Sequence, residues 1–261
     1  MVAYEIFSHV YDTFMEDVPY DAWCRQLHRK MLQYGIDSGL VLDLGCGTGQ
    51  MTRRFRDLGY DMIGADQSAD MLEIAMEQEY RNPAQGIQEN PAAAGRILYL
   101  NQDMRTFELY GTVRAVISVC DCMNYITDPE DLLQVFRLVN NYLDPGGIVL
   151  FDMNTPYKYR QIIGNATIAE NREHESFIWE NHFDPATGIN QYDVTFFIEE
   201  EEGWYRRYEE QHIQRAYETA EVEALLTRAG LAVREVLDAE GLKPVTAETQ
   251  RILYLAQEQQ K

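Results

Sequence analysis

A strand, a glycine-rich turn and a helix follow one another directly within residues 40–58, and this unit constrains the fold most strongly. The run Leu40–Leu44 is apolar apart from one aspartate, which is typical of a strand buried on both faces. Gly45, Gly47 and Gly49 follow at alternate positions, and apolar residues then recur at helical spacing. Glycines allow backbone conformations closed to other residues and keep side chains out of the turn. The amides at the helix start therefore suit a nucleotide-like or carboxylate-bearing ligand.

Two details distinguish this turn from a dinucleotide-binding one. Gln50 occupies the position where the dinucleotide fingerprint requires its third glycine. Asp43 lies two residues before the first glycine, at the carboxyl end of the strand, where open α/β sheets bind ligands. The whole string Val-Leu-Asp-Leu-Gly-Cys-Gly-Thr-Gly resembles motif I of the class I (Rossmann-like) S-adenosylmethionine-dependent methyltransferases of the small-molecule type. The resemblance implies S-adenosyl-L-methionine as cofactor.

The pattern of the remaining chain predicts the fold class. Strands and helices alternate five times up to residue 151, which is the pattern of a doubly wound parallel sheet. A sharp turn is predicted at residues 143–147, before the fifth strand at 148–151. Two further strands, at 231–237 and 251–256, match the reversed hairpin with which the family closes its sheet. We therefore expect an α/β fold with a mostly parallel seven-stranded sheet and helices on both faces.

The alternation stops after the fifth strand. Residues 176–217 are rich in aromatic and β-branched side chains separated by turn signals, which predicts inserted antiparallel strands. In the family such insertions lie over the acceptor site. We expect one methyltransferase domain over residues 1–261, with an N-terminal helical lid at 1–36 and an antiparallel β subdomain at 172–217 that forms part of the substrate site.

Candidate cofactor contacts lie at the carboxyl ends of the strands. Asp66 comes about twenty residues after the glycine turn, where a carboxylate can accept both ribose hydroxyls. In the family, an acid after the third strand accepts the adenine amino group and the next amide meets the ring nitrogen; Asp103 and Met104 match these positions. The resulting cofactor residues are Asp43, Gly45, Cys46, Gly47, Gly49, Asp66, Gln67, Asp103, Met104 and Cys120.

Candidate acceptor residues lie in two places: in the loop after the fourth strand and near the start of the chain. The string from Asp121 through Asn124 and Tyr125 resembles the acceptor-facing loop of small-molecule methyltransferases. Tyr11 lies in a stretch that resembles their N-terminal lid, where a tyrosine closes over the methyl donor. The alternative for Tyr11 is a buried aromatic on a helix face.

A general base and a metal site are less strongly indicated. His212 and His182 are candidate bases, although a single histidine on a strand is more often structural. Cys120 and Cys122 lack the nearby histidine pair of a metal site, so no metal is expected. Methyl transfer is an in-line displacement that depends mainly on alignment, and an oxygen acceptor needs a base more strongly than an amine. This favours an amine nitrogen on a small polar acceptor.

Composition limits the partners. The net charge of −21 disfavours nucleic acid, and no run approaches the ~18 apolar residues of a membrane span. The four cysteines show no disulfide spacing, which favours the cytoplasm. Three other functions stay open: a non-catalytic cofactor-binding sensor or partner protein, a nicotinamide-dependent oxidoreductase, and an RNA or protein methyltransferase. The pattern does not indicate an oligomeric state.

Overall fold

The computed structural model describes residues 14–81, 96–201, 203–259 and 261. The described helices are α1 (Tyr20–Gln33), α2 (Gln50–Asp57), α3 (Ala69–Arg81), α4 (Pro129–Tyr142) and α5 (Thr219–Arg228), with a 3₁₀ turn at Cys122–Tyr125 and a π-helical segment at Lys158–Ile163. The strands are β1 (Leu40–Leu44), β2 (Asp61–Asp66), β3 (Ile97–Asn101), β4 (Val113–Ser118), β5 (Leu143–Asn154), β6 (Thr167–Asn171), β7 (Glu175–Asp184), β8 (Ile189–Glu201), β9 (Trp204–Arg215), β10 (Leu231–Asp238), β11 (Lys243–Pro244) and β12 (Arg251–Glu258).

The main sheet confirms the predicted α/β class. Its strand order is β11-β10-β12-β5-β4-β1-β2-β3, and the five strands β1 to β5 are parallel. β12 runs antiparallel to both β5 and β10, which is the expected reversed hairpin. The two-residue strand β11 adds an eighth member at the edge, beside β10.

Helices cover both faces of this sheet because its strands are apolar on both sides. Val41 and Leu42 are neighbours in β1 and therefore point to opposite faces. Leu42 is buried in a core with Phe136 of α4, whereas Val41 is buried in a second core with Phe55 of α2. The sheet is thus a layer between two hydrophobic cores, and its strand ends are free to carry the site.

The prediction of a sharp turn at residues 143–147 is wrong. β5 begins at Leu143, which pairs with Val113 of β4, and the pairing shifts register before Ala115. Gly146 has a φ of 75°, so the strand accommodates the glycine pair as an irregularity. Proline and glycine here distort the strand without ending it.

The second sheet is antiparallel, in the order β6-β7-β8-β9, and forms the predicted insertion after β5. It begins earlier than expected, because β6 precedes residue 172. Asn181, Tyr192 and His212 are lateral neighbours on its inner face. Phe14 packs edge-on against Phe177 of this face, at a centroid distance of 4.8 Å. The division into lid, domain and subdomain stays a prediction, and residues 1–13 of the lid lie outside the described part.

None of the helices in the described ranges combines the length and apolarity that crossing a bilayer requires.

Candidate active site

A cavity of about 260 Å³ lies at the carboxyl ends of β1, β2 and β4, where a doubly wound sheet binds its ligand. Nine of the ten predicted cofactor residues line it: Asp43, Gly45, Cys46, Gly47, Asp66, Gln67, Asp103, Met104 and Cys120. Gly49 does not line the cavity and is the N-cap residue directly before α2. The structure thus brings nine of these ten residues together around one cavity.

The three glycines of the turn have different reasons to be glycine. A Cβ on Gly45 would lie 2.8 Å from the sulfur of Cys122, so the turn and the loop after β4 pack too closely for a side chain. Gly49 has a φ of 76°, and its Cβ would lie 2.6 Å from the hydroxyl oxygen of Tyr99. A Cβ on Gly47 would meet nothing within 4 Å, because this residue faces the open cavity.

Asp43 is a buried carboxylate at the cavity wall. Its Oδ2 accepts a hydrogen bond from the Thr52 hydroxyl at 2.6 Å, whereas Oδ1 is buried with no partner among the described residues. Burial raises the pKa of Asp43 to about 7, and the Thr52 hydrogen bond opposes this only in part. A cationic ligand group in the cavity would offset the charge of this buried carboxylate.

Asp66 and Asp103 are held in place by short local hydrogen bonds. The Asp66 carboxylate accepts from the amides of Gly47, at 2.8 Å, and of Ser68, at 2.9 Å. Burial raises the pKa of Asp66. The Arg105 guanidinium donates to both oxygens of Asp103 and lowers the pKa of that carboxyl. Each acid therefore keeps a fixed orientation at the cavity edge.

The loop after β4 is strained and firmly anchored. Cys120 and Asp121 have positive φ values of 63° and 52°, which is costly for residues other than glycine. The Asp121 carboxylate accepts hydrogen bonds from the Arg251 guanidinium, at 2.8 Å, and from the side-chain amide of Gln214, at 2.7 Å. The fully buried Asn124 donates to the Asn154 and Arg215 carbonyls, and neither it nor Asp121 lines the cavity. Both side chains are used to hold the turn.

Tyr125 is the predicted acceptor residue that reaches the cavity. Its hydroxyl lies 2.5 Å from the Tyr192 hydroxyl and 3.3 Å from Nδ1 of His212. His212 is buried on the inner face of β9, whereas His182 is exposed on the outer face of β7. Tyr11 lies outside the described residues. The structure thus joins Tyr125 and His212 and separates His182 from both.

Comparison with known proteins agrees with this architecture. A family model described as "Methyltransferase domain" matches residues 12–236. The chain belongs to the S-adenosylmethionine-dependent methyltransferases. It is 31% identical to "Putative methyltransferase YqeM" of Bacillus subtilis over 256 residues, which cover 97% of this chain and 96% of that protein.

One solved structure and one more distant relative extend this comparison. An S-adenosylmethionine-dependent methyltransferase from Clostridium acetobutylicum has a TM-score of 0.84 at 27% identity, covering 97% of this methyltransferase and 98% of that chain. A Streptomyces venezuelae dTDP-3-amino-3,4,6-trideoxy-alpha-D-glucopyranose N,N-dimethyltransferase is 24% identical and covers 76% of this chain and 77% of its own. The methyltransferase therefore uses S-adenosyl-L-methionine.

The cavity of this methyltransferase fits that cofactor. The amino-acid end of S-adenosylmethionine carries an ammonium group, whose positive charge would offset that of the buried Asp43 carboxylate at the cavity wall. The side-chain-free surface at Gly47 leaves room for the ligand. The Asp66 carboxylate accepts two hydrogen bonds from backbone amides and still has free lone pairs, which a contact with the ribose hydroxyls would need.

Sequence reasoning missed several residues of the site. Tyr20 of α1, Thr127 and Asp131 also line the cavity. They come from a helix face and from the start of α4, where no motif marks them. Gln214 and Arg251 anchor the loop after β4 from the far end of the chain, and only the register of β9 and β12 brings them there.

Proposed function

We propose that this methyltransferase transfers the methyl group to an amine nitrogen of a small polar acceptor, bound where the cofactor cavity meets the inner face of the second sheet. The observation that carries the proposal is the position of Tyr125, which lines the cavity and also contacts Tyr192 and His212 of that sheet. The wall continues to Glu210, a buried carboxylate 3.5 Å from Nε2 of His212. A hydrogen-bonding wall that ends in a carboxylate suits an amine.

The cofactor supplies a methyl group on a positively charged sulfur, so the protein has mainly to align the acceptor and exclude water. We assign the methionine end to Asp43 and to the turn Gly45–Gly49. Asp66 would accept from the ribose hydroxyls. The adenine would contact Asp103 and the backbone of Met104, and the backbone of Cys120 would lie beside the reacting centre. These assignments follow the cavity lining, apart from Gly49, which shapes the turn.

Nitrogen is preferred over oxygen for two reasons. A neutral amine already carries a nucleophilic lone pair, and the proton it loses leaves a nitrogen that methylation has made cationic, so it needs a base less strongly than an alcohol does. The Streptomyces venezuelae relative is an N,N-dimethyltransferase of an amino sugar nucleotide, and it matches three quarters of this chain. The net charge of −21 also favours neutral or cationic acceptors and disfavours a nucleic acid substrate. All four cysteines are free, in keeping with a cytoplasmic location.

The test combines binding and turnover. Calorimetric titration is expected to show binding of S-adenosylmethionine and S-adenosylhomocysteine but not of NAD. Formation of S-adenosylhomocysteine is then followed with pairs of acceptors that differ in one group, an amino sugar and the same sugar with a hydroxyl. Turnover of the amine alone supports the proposal. Turnover of hydroxyl compounds alone contradicts it, and cofactor binding without turnover of any acceptor favours a sensor.

Asp66→Ala tests the assignment of the ribose site. A ribose would lose two hydrogen bonds to a charged group, each contributing about 1.5–3 kcal/mol, so the dissociation constant for S-adenosylmethionine should rise by at least about a hundredfold. Asp61→Ala, at the exposed start of the same strand, is the matched control. Unchanged affinity in Asp66→Ala would show that the ribose lies elsewhere.

A further inference from the structure

Three side chains connect the cofactor cavity with the interior of the second sheet. Tyr125 lines the cavity, its hydroxyl lies 3.3 Å from Nδ1 of His212, and Nε2 of His212 lies 3.5 Å from Oε2 of Glu210. The side chains of His212 and Glu210 are each only 1% exposed. A hydroxyl, an imidazole and a carboxylate in this order form a path along which one proton can move away from the cavity.

The surroundings of the imidazole fix its orientation. The Tyr192 ring stacks on it at a centroid distance of 4.9 Å and an angle of 15°, and the Tyr125 ring meets it edge-on. Among the described residues, the titratable side chains of Tyr125, Tyr192 and Glu210 lie beside it, from the loop after β4, from β8 and from β9. Burial raises the pKa of Tyr192 well above its usual value, so this tyrosine keeps its proton and can donate to Tyr125.

The position of this path is set by hydrogen bonds between the two sheets. Gln214, two residues beyond His212 on the same face, donates to Asp121 at 2.7 Å. Asn124 donates to the carbonyl of Arg215 at 2.8 Å. Since Asp121 and Asn124 belong to the loop that carries Tyr125, β9 and the cavity wall are held in one register.

We infer that Tyr125, His212 and Glu210 form a proton relay that deprotonates the methyl acceptor; this inference rests on the proposed function. Tyr125 takes a proton from the acceptor nitrogen as that nitrogen bonds to the methyl carbon, and the electron pair of the broken carbon–sulfur bond stays on sulfur. The Tyr125 hydroxyl proton passes to Nδ1 of His212, and Glu210 balances the resulting positive charge. The proton returns through Tyr125 to water when the products leave.

The relay makes a prediction that needs no acceptor. Nδ1 of His212 must be unprotonated to accept from Tyr125, so the resting imidazole carries its proton on Nε2, facing Glu210. Nitrogen NMR of the full chain, labelled in its histidines and saturated with S-adenosylhomocysteine, reports this tautomer. The His212 signals are identified by their loss in His212→Gln. A proton on Nδ1 overturns the relay.

Kinetics with the acceptor found above test the same path. Tyr125→Phe should lower kcat by about a hundredfold while the dissociation constant for S-adenosylmethionine changes by less than about threefold. The matched control is Tyr205→Phe, at a half-exposed position near the start of β9, and its kcat should equal the parent value. A kcat within about threefold of the parent value in Tyr125→Phe refutes the relay.

The carboxylate separates a relay from a purely structural role. In the relay Glu210 balances the charge of the protonated imidazole, so Glu210→Gln should lower kcat by about tenfold while the KM of the acceptor and the dissociation constant for S-adenosylmethionine change by less than about threefold. Glu209→Gln, on the exposed face of the same strand, should leave kcat unchanged. A kcat within about threefold of the parent value in Glu210→Gln contradicts the inference. Turnover of hydroxyl acceptors alone would refute N-methylation, and the same variants would still decide the relay with those acceptors.

Discussion

Asp43→Asn should stabilise the free protein at alkaline pH and weaken cofactor binding at the same time. Asp43 is buried, has one oxygen that finds no partner in the described part of the chain, and has a pKa raised from 3.8 to about 7 by burial. Asn keeps the shape and can still hydrogen-bond with Thr52, but it carries no charge. The variant thus removes the cost of a buried ionised group in the free protein, together with the negative charge that would offset the cofactor ammonium.

The size and sign follow from the pKa. The folded state binds the Asp43 proton more tightly than the unfolded state, so stability falls as pH rises between 3.8 and about 7, and the full cost is present above that range. Raising the pKa from 3.8 to about 7 corresponds to about 4 kcal/mol, at about 1.4 kcal/mol per pKa unit. We expect Asp43→Asn to gain about 2–4 kcal/mol near pH 8 and little near pH 4.

Thermal and denaturant unfolding near pH 4 and near pH 8, with and without S-adenosylmethionine, measure both effects. Asp37→Asn is the control, since the Asp37 side chain is 75% exposed. At alkaline pH the cofactor should stabilise the parent protein more than the variant, because bound ligand adds to stability in proportion to its affinity. The reasoning is refuted if Asp43→Asn is equally destabilised at both pH values, or if its affinity for the cofactor is unchanged.

Two further substitutions test the packing around the site. Gly49→Ala should lower the free energy of unfolding by about 1–3 kcal/mol, because its positive φ disfavours a side chain and the new Cβ would lie 2.6 Å from the Tyr99 hydroxyl. At Gly47 a new Cβ would meet nothing within 4 Å, so Gly47→Ala should lower it less in the same thermal melts. Arg251→Met should lower the free energy of unfolding by about 3–5 kcal/mol, because it removes the ion-pair partner of the buried Asp152 and of the partly buried Asp121, whereas the exposed Arg234→Met should change it by under about 0.5 kcal/mol. Equal losses within either pair would contradict these assignments.

The residues that we propose for the cofactor could be placed at one edge of the sheet because they are local in sequence. Asp43 and the glycines belong to one strand and the turn that follows it, and Asp66 ends the next strand. Alternating strands and helices place such strand ends at one edge of a parallel sheet, so a position in the pattern is enough to place the residue in space. The fold class could be predicted in the same way, because the apolar strands and the eight-residue helix after the turn are also local patterns.

The residue types at 143–147 predicted a sharp turn, and that prediction is wrong. Proline and two glycines are typical of a chain reversal, but Leu143 already pairs with Val113 of β4, and the irregular stretch after it runs on into the regular pairing at Ile148. The order of strands in the sheet fixes that pairing, and a local pattern does not contain it. Local preference was therefore overridden by tertiary pairing.

The sequence by itself determined the glycine turn, the doubly wound sheet and the carboxylates of the cofactor cavity, because each depends on neighbours within a few residues. Only the tertiary structure decided which side chains meet across the two sheets. Tyr125 meets His212 87 residues later in the chain, and Asp121 meets Arg251 130 residues later. Such contacts depend on the register of β9 and β12, since a shift of one residue would turn each side chain to the opposite face.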